Sequence, residues 1–449
     1  MRKLNKNHII ILLISTIICI LLSGFIDYEN SVYSNMDMNK YIAMAEVSPG
    51  INTNIIKPFV YRIGAPWIAG LLPFTIPINF LILNSISLFF LSLVFFLFLL
   101  EYKTDTSLAL VFTIIFQLNR YLFQFLGWNY FQLSDTLSLV FLFYSLILLR
   151  HRKYLALLFV VIVGIFIKEY MLMLIPAGFV LLYESGFKRK ELFYFSIISL
   201  ILISIFIGLR QIITAEVGGE SLFSQYLTQV AYYSNPIFLL KRFVGAFTPF
   251  GLLPFIFYKE LFMFFKENKH LFVFVMTVII LSFFGESERL MAPLYPIYFL
   301  FIANLISKYF SFNFQNIFKS KKVIALILIS FLTSFYHLWG IIRLPNKYYS
   351  LISAVIFSLI VSIIFIMERI RNVNAKRIDW NSANKHILFD LQSILNFINT
   401  TILIVQKYFY DNYLQNFEKD SAKNNPIVLS QSSYLHSSFE NIVGSLFVW

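Results

Sequence analysis

The sequence predicts an all-α, polytopic integral membrane protein with about twelve transmembrane helices. Three observations predict it. Of the 449 residues, 59% are hydrophobic and only 13% are charged, against about 45–50% and about 25% in soluble domains. Apolar runs of about 18 residues recur along most of the chain, the length that crosses roughly 30 Å of hydrocarbon at 1.5 Å per residue. The basic residues concentrate on alternate connecting segments, the positive-inside pattern. This composition, with 53 Phe, excludes a soluble globular enzyme and a disordered chain.

The first apolar run, 9–26, follows the basic start Met1-Arg2-Lys3-Leu4-Asn5-Lys6. It is longer than a signal-peptide core of about 7–15 residues, and no small-x-small cleavage site follows. It reads as a retained first span with its basic end in the cytoplasm. Further apolar segments fall near 74–100, 106–126, 128–149, 154–167, 170–183, 192–209, 243–258, 271–285, 294–307, 323–340 and 351–367. Two of them, 154–167 and 170–183, are too short to cross alone. They read as a short hairpin with Lys168-Glu169-Tyr170 at its tip. Residues 1–367 thus form the membrane domain. The stretch 368–449 is polar and reads as a cytoplasmic tail, in which 387–406 is expected to be an interfacial helix rather than another span. No internal repeat supports an inverted-repeat transporter.

With the N-terminus inside and the spans alternating, 21 Lys and Arg fall on inner segments and 10 on outer ones. The net charge of +13 is therefore mostly a topology signal. Membrane lipid is the implied partner and nucleic acid is not. Two outer connections are long, about 27–73 and about 210–242. The first is expected to hold an amphipathic helix from about Asp37 to Glu46. The single cysteine, Cys19, lies inside the first apolar run, so no disulfide or thiolate metal site is available.

Charge near a bilayer costs about 2.5–3.5 kcal/mol per residue, so its placement is informative. Asp27, Asp37, Lys57, Arg62, Lys168, Glu169, Arg210, Glu286, Glu288 and Arg289 all fall at outer span ends or in outer loops. Arg120 falls near the outer end of the third span, and Asp135 about two turns into the fourth. The inner half of the spans is nearly free of charge. This one-sided clustering predicts a polar cavity opening outward.

Each candidate carries two readings. Asp37 is either a helix N-cap or a carboxylate at the cavity mouth, acting as base or metal ligand. Lys57 and Arg62 flank Pro58-Phe59-Val60-Tyr61; they either snorkel at the interface beside Phe59, Tyr61 and Trp67 or clamp a phosphate with the Tyr61 hydroxyl. Asp135 either pairs with Arg120 for structure alone or joins a polar substrate site. Lys168 and Glu169 either pair with each other or offer Lys168 to a phosphate or lipid headgroup. Glu288 and Arg289, ahead of Pro293, are either a solvated loop or part of the site. Other chemistries fail. No G-x-x-x-x-G-K-[ST], H-E-x-x-H or G-x-S-x-G motif occurs, so ATP hydrolysis, zinc proteolysis and serine hydrolysis have no support. The six histidines are scattered.

Together these elements resemble a known group. The acidic residue before Tyr and small residues (Asp37, Tyr41, Ala43, Ala45) comes first. Pro58-Phe59, Tyr61-Arg62 and Pro66-Trp67 follow. Then come Asp135 inside a span, the Lys168-Glu169 tip with Pro176 beyond, and Glu288-Arg289 with Pro293. In this order they look like bacterial polytopic glycosyltransferases of the GT-C superfamily, the fold class of protein O-mannosyltransferases and lipid A aminoarabinose transferases. The resemblance covers about residues 10–310. It implies a GT-C-like fold and a polyprenyl-phosphate sugar donor in the outer leaflet of a bacterial plasma membrane. An acceptor (glycan, lipid or protein) would displace the lipid phosphate with inversion. Asp37 would be the base, and Lys57, Arg62, Arg120 or Lys168 would neutralise the phosphate. Members of the class often carry adjacent acidic residues in the first loop. Here Asp37 has no acidic neighbour, and Asp27-Tyr28-Glu29 lies earlier, so a divalent metal stays an open requirement. The alternatives are a lipid-linked saccharide flippase or other transporter, and a non-catalytic assembly scaffold.

Overall fold

The computed structural model describes residues 5–29, 37–186, 188–214, 239, 241–283, 288–310, 320–333 and 347–375. They belong to one compact unit, Met1–Lys376; the second unit, Arg377–Trp449, lies outside the described residues together with the helix expected at 387–406. Most of the expected outer loop 210–242 also lies outside them.

Every regular element among the described residues is helical. In chain order the helices are α1 (Lys6–Ser23), α2 (Met38–Glu46), α3 (Gly64–Leu71), α4 (Ile76–Glu101), α5 (Thr106–Gln117), α6 (Phe125–Trp128), α7 (Leu133–Arg150), α8 (Tyr154–Ile167), α9 (Leu174–Glu184), α10 (Arg189–Ile212), α11 (Leu253–Ile256), α12 (Tyr258–Glu267), α13 (Lys269–Ser282), α14 (Tyr295–Tyr309), α15 (Lys321–Thr333) and α16 (Lys347–Ala375). Among the described residues, five stretches are long and apolar enough to cross a membrane: Lys6–Ser23, Ile76–Glu101, Tyr130–Arg150, Arg189–Ile212 and Arg289–Tyr309. A sixth is α5 with Leu122–Trp128, bent by 53°. The described residues are therefore all-helical, with several helices able to span a bilayer.

Two expected spans are not continuous. Segment 106–126 breaks after Gln117 because Asn119 is extended and its side chain accepts the Leu122 N–H at 3.0 Å, a local bond that competes with the helix. Segment 243–258 is a π-turn (Lys241–Gly245), an irregular stretch and the short α11. Pro249 cannot donate to a helix ladder. A Cβ on Gly251 would lie 2.2 Å from the Val244 carbonyl oxygen, so the chain folds back there as only glycine allows. The short hairpin expected at 154–183 is present as α8, a 3-10 turn (Glu169–Met173) and α9.

Apolar packing fills the interior, with Phe95 and Phe116 stacked at 4.3 Å between ring centroids. Polar ties fix helix register within it. Gln117 Nε2 donates to Thr16 Oγ1 (2.9 Å) and Ser92 Oγ (3.0 Å), joining α1, α4 and α5. Asn84 accepts from Thr136 Oγ1 (2.7 Å) and donates to the Leu126 carbonyl (2.8 Å), joining α4, α6 and α7. These uncharged bonds satisfy groups that would otherwise be costly to bury. Arg242 is buried and donates to the Ser282 carbonyl at 2.5 Å, where a cation complements the C-terminus of α13.

Charge collects at two levels. Asp135 is in the first turn of α7 and Arg150 in its last, about 22 Å apart along the helix at 1.5 Å per residue. At the Arg150 end, Glu101 pairs with His151 (3.0 Å), Arg152 with Glu191 (2.7 Å), and Glu184 with His270 (2.5 Å). The Asp135 end holds the candidate site.

Candidate functional site

The platform of the site is α2 packed on α3. Met38, Tyr41, Met44 and Ala45 recur at helical spacing on the buried face of α2. Met38, Tyr41 and Ala45 join Ala65, Ala69, Phe80, Phe131, Leu133 and Ile167 in one apolar cluster. The two helices touch backbone to backbone: a Cβ on Gly70 would lie 2.1 Å from the Ala45 carbonyl oxygen. Asn79 anchors the end of α3 by donating to the carbonyls of Ala69 (2.9 Å), Leu72 (3.0 Å) and Phe74 (3.0 Å).

Asp37 precedes α2, but its side chain caps nothing. Its backbone is already helical, with φ −65° and ψ −13°, whereas an N-cap is normally extended so that its carboxylate reaches the next amides. This corrects the capping expectation. The carboxylate turns instead to Lys40 Nζ (3.1 Å) and Arg289 Nη2 (3.9 Å).

Arg289 also donates from Nη1 to Asp135 Oδ2 at 3.2 Å, so one guanidinium bridges the two carboxylates. The other oxygen of Asp135 accepts from Lys168 Nζ. The ion-pair partners that the structure shows for Asp135 are Lys168 and Arg289, where the sequence offered Arg120 as a purely structural partner and a polar substrate site as the alternative. The break at Asn119 ends α5 before Arg120, so no continuous helix carries Arg120 toward Asp135. Its π-turn, Arg120–Gln124, packs instead against the Glu288–Leu294 turn.

Lys168 and Glu169 also depart from the expected local pair. Lys168 is extended, with φ −162° and ψ 136°, and successive side chains of an extended backbone point to opposite sides. Lys168 goes to Asp135. Glu169 goes to Arg62, which donates from Nε to Oε2 at 3.0 Å and from Nη2 to Oε1. Arg62 also lies over the Phe59 ring at 5.0 Å, and Lys40 over the same ring at 4.3 Å.

The electrostatics follow from these pairings. Burial alone would raise the Glu169 carboxyl, but the Arg62 charge and hydrogen bonds reverse that and hold it at about 2. Burial would lower Arg62; the Glu169 carboxylate outweighs it and moves the guanidinium well above its ordinary value. Burial pushes the Tyr41 phenol up, with nearby Arg62 opposing. Tyr41 is a neutral buried hydroxyl beneath the charges.

The structure thus brings together Asp37, Arg62, Asp135, Lys168, Glu169 and Arg289 from the expected set. Lys57 is exposed and outside this ring. The Tyr61 ring is buried, with the Arg210 guanidinium 4.8 Å above it, so it serves as a stacking surface. Glu286 lies outside the described residues, and nothing is described of the Glu288 side chain. Asp27 and Glu29 are exposed. Two contributors, Lys40 and Arg210, were given no role of their own in the sequence reading of the site. Lys40 was signalled by its i,i+3 spacing from Asp37. Arg210 reads in sequence as an ordinary charge at a span end.

Lys40, Arg62, Lys168 and Arg289 face Asp37, Asp135 and Glu169. The cations exceed the carboxylates by one, and Arg210 stands beside them. Such a ring can hold an anion, and the carboxylates orient its cations. Asp37 and Arg289 keep 29% and 23% of their side chains exposed, so a ligand can reach them. Among the described residues no three His, Cys, Asp or Glu side chains form a metal-ligand group. Compared with protein-family models and with curated proteins, the chain finds no match.

Proposed function

We propose that this chain is a GT-C-type glycosyltransferase that moves a sugar from a polyprenyl-phosphate donor to an acceptor at the outer face of a bacterial plasma membrane. On this reading about twelve helices span the bilayer and both termini are cytoplasmic. One observation carries the proposal. Asp37 and the cations Arg62, Lys168 and Arg289, from four separate chain segments, meet at one end of the helical bundle.

In the proposed reaction an acceptor hydroxyl or amine attacks the anomeric carbon. The new bond to that carbon forms as the bond to the phosphate oxygen breaks, and the configuration inverts. Asp37, partly exposed and free of the two-point arginine pair that holds Glu169, takes the acceptor proton. The electron pair leaves with the lipid phosphate. Arg289 and its neighbours receive that growing charge from fixed positions, an effect that contributes several kcal/mol in comparable sites. Glu169 holds Arg62 and Asp135 holds Lys168, so the cations need little reorganisation. A transporter is expected to place charged groups through the midplane and to show paired broken helices in two halves. The described interior network of Thr16, Ser92 and Gln117 is uncharged, which favours the enzyme.

The test is a transfer assay with the purified protein in lipid, offering polyprenyl-phosphate sugars and measuring released polyprenyl phosphate. Wild type is compared with Asp37→Asn and Arg62→Ala. Release that both substitutions abolish while the fold persists supports the transferase. No release with any donor, alongside movement of lipid-linked saccharide across vesicles, transfers the assignment to a flippase.

A further inference from the structure

A second cation-lined site lies at the opposite end of α7. A cavity of about 260 Å³ opens between the α7–α8 turn and the end of α9, lined by Leu149, Arg150, Arg152, Tyr154, Leu181, Leu182 and Ser185. The turn is tight, and Arg152 closes it with φ 55°. Its N–H bonds to the Leu149 carbonyl (3.0 Å) and the Lys153 N–H to that of Leu148 (3.0 Å). This is the helix-ending pattern whose left-handed position normally belongs to glycine. A non-glycine residue there is strained, so backbone preference does not account for arginine. Lys103 ends α4 in the same way, with φ 63°, so the backbone marks the turn and the side-chain donors around the cavity argue the ligand.

The donors are available. Glu191 engages Arg152 through Nη1 alone, at 2.7 and 2.8 Å, which leaves Nε and Nη2. Arg150 rests over the Tyr102 ring at 4.0 Å and is 3.8 Å from Glu101. The Tyr154 hydroxyl has no hydrogen-bond partner among the described residues. The nearest acidic competitor on α9, Glu184, is spent on His270 Nδ1 (2.5 Å) and the Lys269 N–H (2.6 Å). Directly along α8 the surface becomes apolar and open: Leu155 is 82% and Phe159 70% exposed, one turn apart. A phosphate at the arginines would therefore carry its acyl chains onto Leu155 and Phe159.

The geometry points to a phospholipid-headgroup site: the phosphate of an anionic phospholipid binds Arg150, Arg152 and Tyr154 in this cavity, and its chains lie on α8. This inference does not depend on the transferase reading. It requires only that α7 cross the bilayer.

Thermal unfolding of the purified full chain in detergent tests it, with added phosphatidylglycerol, phosphatidylcholine or inorganic phosphate. Phosphatidylglycerol should raise the midpoint by several degrees more than phosphatidylcholine. Arg152→Gly relieves the backbone strain and should fold as well as wild type, yet lose most of that extra protection. Glu191→Gln frees Arg152 from its ion pair and should keep it. Equal protection of Arg152→Gly and wild type would overturn the site. Equal loss in Glu191→Gln and Arg152→Gly would make the ion pair, not the lipid, responsible. Protection by inorganic phosphate alone would overturn the lipid assignment in favour of a soluble anion.

Discussion

Lys168 and Asp135 stand 33 positions apart in sequence, yet the lysine ammonium donates directly to the aspartate carboxylate, with the two residues only 7% and 8% exposed. The pair joins the tip of the α8–α9 hairpin to the first turn of α7. A buried pair gains little net stability over an apolar pair of the same shape, but losing one partner leaves a charge stranded. Lys168→Met should therefore destabilise the protein by about 3–5 kcal/mol. The double variant Lys168→Met with Asp135→Leu should cost clearly less than the sum of the two single changes. A thermal or denaturant double-mutant cycle measures this. Strict additivity would mean that the pair carries no coupling.

Asp37 is the residue whose catalytic and structural readings separate most cleanly. Its side chain makes no capping bond and is partly open to water. Removing a true cap costs about 1 kcal/mol. Asp37→Ala should stay within about 0.5 kcal/mol of wild type, the usual range for a surface change. Under the proposed mechanism the same change should slow transfer by about 10²–10⁴-fold, the contribution of a general base. A folded variant with undiminished transfer would remove Asp37 from the base role.

The helical class and the gathering of charge at one end were legible in sequence because both follow from local rules. Apolar runs mark helices, and isolated charges avoid hydrocarbon. The pairings were not legible. They depend on events between helices: the break at Asn119, which ends α5 before Arg120, and the extended backbone at Lys168, which sends its side chain and that of Glu169 to opposite partners. The capping expectation for Asp37 failed for a related reason. An Asp before an apolar helix suits an N-cap, but only the backbone angle decides whether its carboxylate reaches the amides. The break in 243–258 was signalled by Pro249, Gly251 and Pro254, and hydropathy alone smoothed over them.

The Arg62–Glu169 pair gives the site a defined acid limit. Glu169 sits at about 2, below the ordinary glutamate value of 4.5. A carboxylate whose value is lowered on folding stabilises the folded state above its unfolded value. That contribution is complete above pH about 4.5 and is lost as pH falls through 2. Glu169→Gln should therefore be less stable than wild type at pH 6, and the gap should narrow steadily from pH 4.5 downward. Denaturant midpoints of both proteins across that range test it. A gap that widens on acidification would mean that the pair does not hold Glu169 ionised.

Gly70 should be the most sensitive glycine of the platform. Its missing side chain lets α3 lie against the Ala45 carbonyl of α2, where a Cβ would approach to 2.1 Å. The obstacle is backbone, so no rotamer change relieves it. Gly70→Ala must push α2 away from α3, and α2 carries Lys40 and follows Asp37. Overpacking of this kind costs about 1–3 kcal/mol. Helix propensity opposes it with roughly 1 kcal/mol in favour of alanine, so a net loss should remain. Because the displacement reaches the site, transfer should fall further than stability alone explains, and the fall should persist at temperatures where the variant is fully folded. Gly208 is the matched control. It lies in α10, a Cβ there meets nothing within 4 Å, and Gly208→Ala should be neutral or stabilising. If Gly70→Ala behaved like Gly208→Ala in both readouts, the close crossing of α2 and α3 would not be what positions Asp37.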